Sequence, residues 1–146
     1  MVATRQQLFT YVITIATYQR YRHFQRTANA ELFLATIFQH REKGRFQIHA
    51  FVVMPDHVHM LITPAVDQSL EKCAQYIKGA YSFAARKQSS GQIWQEGYHD
   101  HHVRNADDFR NQFRYIENNP ARKLYEDYPH VHSRYLDRID PMPDYL

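Results

Sequence analysis

The chain has 146 residues, 44% apolar and 14% aromatic, enough to close one hydrophobic core and too apolar for an intrinsically disordered chain. No apolar run is long enough to span a bilayer, the N-terminus lacks a signal-peptide core, and the lone Cys73 excludes an internal disulfide. A cytoplasmic protein of one domain, residues 1–146, with no membrane partner is therefore expected, and its net charge of +3 permits a polyanionic partner without requiring one.

Residues 9–17 (Phe-Thr-Tyr-Val-Ile-Thr-Ile-Ala-Thr) are rich in β-branched and aromatic side chains and read as a first strand. Basic residues crowd this first third: Arg5, Arg20, Arg22, Arg26, Arg41, Lys43 and Arg45, with Tyr18, Tyr21 and Phe24 among them. Residues 28–42 carry Leu32, Phe33, Ile37 and Phe38 at helical spacing, and Gly44 stops that helix. A second strand is expected over 46–54, with Phe46, Ile48, Ala50, Val52 and Met54 on one face. Pro55-Asp56 makes a tight turn, and a third strand follows at 57–63 to complete a hairpin. Residues 68–87 predict a second helix with Leu70, Cys73, Ile77, Tyr81 and Ala84 as its apolar stripe, broken by Ser89-Ser90-Gly91. Residues 98–104 suit a fourth strand. A last helix covers 106–119, capped by Asn105, with Asp107 and Asp108 in its first turn and Pro120 as its stop. The tail, 125–146, reads as an irregular wrap over the surface around a core of 9–124.

The order β-α-β-β-α-β matches the ferredoxin-like split βαβ arrangement. The fold class is therefore α+β: an antiparallel sheet with two helices on one face and an additional C-terminal helix free to lie on the other.

Within the third strand, alternation places His57, His59, Leu61 and Thr63 on one face and Val58, Met60 and Ile62 on the other. Two imidazoles at adjacent same-side positions can clamp one divalent ion. On the last helix the apolar stripe is Phe109, Phe113 and Ile116. At about 100° per residue Tyr115 points well away from that stripe, and Asn119 lies one turn after it on the same flank. Two histidines on a strand and one amide oxygen on a helix form a three-ligand site with open positions. Mixed nitrogen and oxygen ligation suits Mg²⁺ or Mn²⁺ handling a phosphate. A phenol beside such an ion can attack phosphorus and store the bond as a phosphotyrosine.

The blocks Phe9–Thr14, Val53-Met54-Pro55-Asp56-His57-Val58-His59-Met60-Leu61-Ile62, Ile93-Trp94-Gln95-Glu96-Gly97-Tyr98-His99-Asp100-His101-His102-Val103-Arg104 and Tyr115-Ile116-Glu117-Asn118-Asn119-Pro120-Ala121-Arg122 occur in that order. This pattern resembles the single-tyrosine HUH transposases, and in particular the REP-associated tyrosine transposases. The resemblance implies a ferredoxin-like fold and a divalent metal held by His57, His59 and Asn119. It also implies Tyr115 as the nucleophile that cleaves single-stranded, hairpin-bearing DNA through a 5′-phosphotyrosine link. Lys78, Trp94, Gln95, Arg104, Arg114 and Arg122 are the candidate DNA contacts, and the family includes both monomers and homodimers that exchange the tyrosine helix.

Two rival functions stand beside this one. A hydrolase built on His57, His59 and His101 would hold zinc and activate water. A domesticated protein would bind the DNA hairpin without cutting it. Each residue also has a bland role: a core position for Trp94, a helix-end cap for Asn119, and an ion pair with Glu117 for Arg114.

Overall fold

The computed structural model describes residues 8–122 and 127–146, apart from the side chains of 121 and 122. Four strands form one antiparallel sheet: β1 (Thr10–Ala16), β2 (Phe46–Met54), β3 (His57–Pro64) and β4 (His99–Val103). Their order across the sheet is β2-β3-β1-β4, the split βαβ topology expected from the sequence. The helices are α1 (Thr27–Glu42), α2 (Leu70–Ala84) and α3 (Ala106–Arg122). None of the described helices is long and apolar enough to cross a membrane.

Local chemistry sets the helix ends. Gly44 adopts φ +74° just past α1, a conformation that costs glycine little. Ser69 Oγ accepts from Lys72 N at 3.0 Å to cap α2, and Asn105 Oδ1 accepts from Asp108 N at 2.8 Å to cap α3. Pro120 lies inside α3 and does not end it. Its ring removes one backbone donor near the C-terminus, but its fixed φ is compatible with a helix, so the last turn continues.

The larger core lies between the sheet and the pair α1–α2. Ile13 and Ile15 of β1 and Val58, Met60 and Ile62 of β3 pack there against Phe33, Ile37, Cys73, Ile77 and Tyr81. A smaller core lies beneath α3, where Val12, Leu61 and Val103 meet Phe109 and Ile116.

Two further expectations are corrected. The apolar residues of β2 do not share one face, because a bulge between Ile48 and Ala50 shifts the register. Phe46 and Ile48 therefore join the larger core, and Ala50, Val52 and Met54 join the smaller one. The described part of the tail is also more than a surface wrap. Val53 N donates to His130 O at 2.8 Å, Val131 bridges Val52, and His132 is fully buried. The tail thus covers the outer edge of β2, whose backbone would otherwise present unpaired groups. At the bulge, Asp140 accepts two hydrogen bonds from Arg41, both 3.0 Å, and one from Ile48 N at 2.9 Å.

Candidate active site

The hairpin register decides where the histidines sit. The two-residue turn Pro55-Asp56 starts β3 at His57, which lies opposite Ala16 of β1 and Met54 of β2. His59 lies opposite Thr14 and Val52. Alternation then puts both imidazoles on the α3 side, with ring centroids 4.7 Å apart.

Each ring is oriented through Nδ1. His59 Nδ1 and Thr14 Oγ1 are hydrogen-bonded at 2.8 Å, and His57 Nδ1 meets Asp56 Oδ1 at 2.7 Å. Nε2 is then the nitrogen by which each ring would coordinate. Burial by itself would raise the Asp56 carboxyl. The hydrogen bond and charge of His57, with Arg20, outweigh that penalty and hold it below its ordinary value.

The amphipathic turn of α3 brings the phenol to this pair. Phe109 and Ile116 anchor the helix on the sheet, and Tyr115 stands off that stripe at 44% exposure. Its ring lies 6.0 Å from the His59 ring, edge to face, within one chain. Asn119, one turn further, is 3% exposed, and its Oδ1 is buried without a hydrogen-bond partner among the described residues. A buried amide oxygen left in this way carries a desolvation cost that an ion could relieve. Two oriented imidazoles on β3, and such an oxygen one helical turn beyond Tyr115, make a mixed nitrogen and oxygen donor set that fits a divalent cation.

His101 does not join this set. It is on β4, and β1 lies between β4 and β3, which separates the strands by about 9.6 Å. Its Nε2 instead hydrogen-bonds both Asp108 oxygens, at 2.8 and 3.0 Å. Among the described residues no three His, Cys, Asp or Glu side chains are grouped to hold a metal, so the zinc triad His57–His59–His101 is not formed.

The candidate DNA contacts divide by environment. Arg104, Arg114 and Gln95 are exposed. Arg114 makes no ion pair with Glu117 among the described residues; Glu117 instead faces His132 Nε2 at 3.8 Å. Lys78 Nζ donates to Gln95 O at 2.9 Å and Gly97 O at 3.0 Å, so it fastens the 93–97 loop, and burial lowers its ammonium from the usual value. Trp94 is a core residue rather than a stacking platform. Its ring packs against Phe24, Phe33 and Tyr81, and its Nε1 donates to Lys78 O at 3.1 Å. The Arg122 side chain lies outside the described residues.

Sequence reading missed Thr14, Asp56 and Arg20 as parts of the site. The run Pro55-Asp56-His57 hints at Asp56, whereas Thr14 and Arg20 become neighbours only through the fold. It also missed a groove of about 570 Å³ between the β1–α1 crossover and the 88–93 loop, lined in part by Tyr18, Tyr21, Arg22, Arg26 and Ser89.

Comparison with known proteins bears on the family and the fold. A REP-associated tyrosine transposase from Escherichia coli K12 is 29% identical over 108 residues, which cover 70% of this chain and 64% of that protein. The chain therefore spans under two thirds of that relative's length. The solved structure of a REP-associated tyrosine transposase bound to a REP hairpin superposes over all of this chain and 94% of its own, with a TM-score of 0.75 at 24% identity. A Deinococcus radiodurans crystal structure described as a transposase covers 81% of this chain and 97% of its own, with a TM-score of 0.53 at 20% identity. The model of the IS200-like transposases matches residues 5–119, most of the chain and all of the site just described, and the protein belongs to that family.

Proposed function

We propose that the protein is a metal-dependent endonuclease and strand transferase for single-stranded, hairpin-bearing DNA, with Tyr115 as its nucleophile. The observation that carries this reading is the approach, in one chain, of the Tyr115 ring to the His57–His59 pair, with the unsatisfied Oδ1 of Asn119 one helical turn further along α3. Family membership and the hairpin-bound structural relative support DNA as the partner.

In this scheme His57, His59 and Asn119 would hold Mg²⁺ or Mn²⁺. When bound, the ion polarises the scissile phosphate and neutralises charge that develops on its oxygens. Tyr115 Oη forms a bond to phosphorus, the bond from phosphorus to the 3′ oxygen breaks, and the released strand ends in a 3′-hydroxyl. The phenol's proton passes to solvent or a neighbouring base. The 5′ end stays on Tyr115, which conserves the phosphodiester energy for rejoining without ATP. The exposure of Tyr115 suits this role, since a polymer must reach it. Arg104 and Arg114, both exposed, would contact the DNA backbone.

The test is to incubate labelled hairpin DNA with the protein and Mn²⁺ and then denature. A protein–DNA adduct should survive, and neither Tyr115→Phe nor a chelated sample should give one. A free 5′-phosphate without an adduct would mean hydrolysis by water. Binding with no cut would mean a recognition protein.

A further inference from the structure

The segment joining β1 to α1 takes a costly path. Gln19 and Arg20 have φ of 53° and 56°, left-handed values at two consecutive residues that are not glycine. That path carries Arg20 to the hairpin turn, where its Nε donates to Asp56 Oδ2 at 3.1 Å. Asp56 is held from its backbone as well, where its carbonyl accepts from Thr17 N and Thr17 Oγ1, both at 3.0 Å. With one carboxylate oxygen on Arg20 and the backbone pinned to Thr17, the other oxygen is aimed at His57 Nδ1 at 2.7 Å. His57 itself is 8% exposed, so its ring has little room to turn.

We infer that Arg20 and Asp56 form a relay that fixes His57 in its Nδ1–H tautomer and in the orientation that presents Nε2 for coordination. Asp56 is then a positioning residue of the metal site, and Arg20 positions Asp56. This rests on the metal reading proposed above. The two histidines differ accordingly: His59 is set by a neutral hydroxyl, that of Thr14, and His57 by an anion that makes its ring the more strongly donating ligand. The Arg20 side chain remains 55% exposed, so this guanidinium stands both at the surface and behind a ligand.

Two measurements on the full chain without DNA test the relay. Calorimetric titration with Mn²⁺ should show affinity reduced about 10- to 100-fold in Asp56→Ala, less in the near-isosteric Asp56→Asn, and a few-fold in Arg20→Gln. Long-range nitrogen–proton NMR spectra of the metal-free protein, recorded above the imidazole titration, should place the His57 proton on Nδ1. In Asp56→Ala it should move toward Nε2, the tautomer imidazoles favour in water. Asp56→Asn keeps both measurements readable if the alanine variant is poorly folded. Unchanged Mn²⁺ affinity in both Asp56 variants, or an Nδ1 proton that survives Asp56→Ala, would overturn the inference. If the wild-type chain takes up no Mn²⁺, the metal reading fails instead, and the spectra still decide whether Asp56 sets the tautomer.

Discussion

On the side of the sheet that carries α1 and α2, the inward residues of β3 are uniformly apolar: Val58, Met60 and Ile62 are all fully buried. On the other side the same strand changes character within a few residues. Leu61 lies under Phe109 and Ile116, His57 and His59 face the Tyr115 flank of α3, and Thr63 joins a polar cluster with Thr10 and His49. One face supplies cohesion. The other contributes enough apolar contact to fix α3 and leaves the rest to polar side chains. On the proposed function, a site that must hold imidazoles, admit a polymer and keep a phenol exposed cannot also be sealed. Its precision is therefore borrowed from the opposite core and from hydrogen bonds to Thr14 and Asp56.

That division can be broken from either side. Met60→Ala should cost about 2–5 kcal/mol of stability in urea unfolding, since it opens a cavity in the larger core. The neighbouring His59→Ala should cost only about 0.5–1.5 kcal/mol, the value of its hydrogen bond to Thr14, yet abolish adduct formation. Equal destabilisation by the two would show that the faces are not energetically distinct. Asp140→Ala should cost about 1.5–3 kcal/mol, because it strips a charged acceptor from Arg41 and leaves Ile48 N unsatisfied at the bulge.

A pH titration sharpens the comparison further. Burial pushes His49 and His132, both on the α3 side, below the ordinary imidazole value, with hydrogen bonds and nearby acids offsetting only part of the effect. A histidine depressed in the folded state resists protonation there more than in the unfolded chain. Its contribution is present above the unfolded pKa of about 6.5 and is lost as pH falls below it. The thermal midpoint should therefore drop between pH 7 and pH 5, and His49→Gln should flatten that drop in part, since His23, His40 and His130 are depressed as well. The smallest expected effect is that of Lys78→Met. Global stability should change by less than about 1 kcal/mol, while the Gln95 amide exchanges faster with solvent as the 93–97 loop loosens.

Much of this was legible from residue order. Alternation in 57–63 placed the two histidines together, and the period of α3 set Tyr115 and Asn119 off the apolar stripe. The caps at Asn105 and Gly44 marked helix ends, because these signals act between residues a few positions apart. Apart from the Pro120 stop, what failed depended on distant partners. The single apolar face assigned to β2 ignored a bulge that is held by Asp140, more than ninety positions along the chain. Trp94 reads equally as core or as a base-stacking ring until Phe24, Phe33 and Tyr81 close around it.

The sequence by itself singled out His57, His59, Tyr115 and Asn119, since each is selected by its own type and by a local period. Tertiary structure decided how those side chains are oriented and which residues stand beside them. Cross-strand register set Thr14 against His59, a strained crossover carried Arg20 to Asp56, and the docking of α3 on a small apolar patch brought the phenol to its own chain's histidines. Those choices are made by the packing of elements that neighbour one another in space and not in sequence.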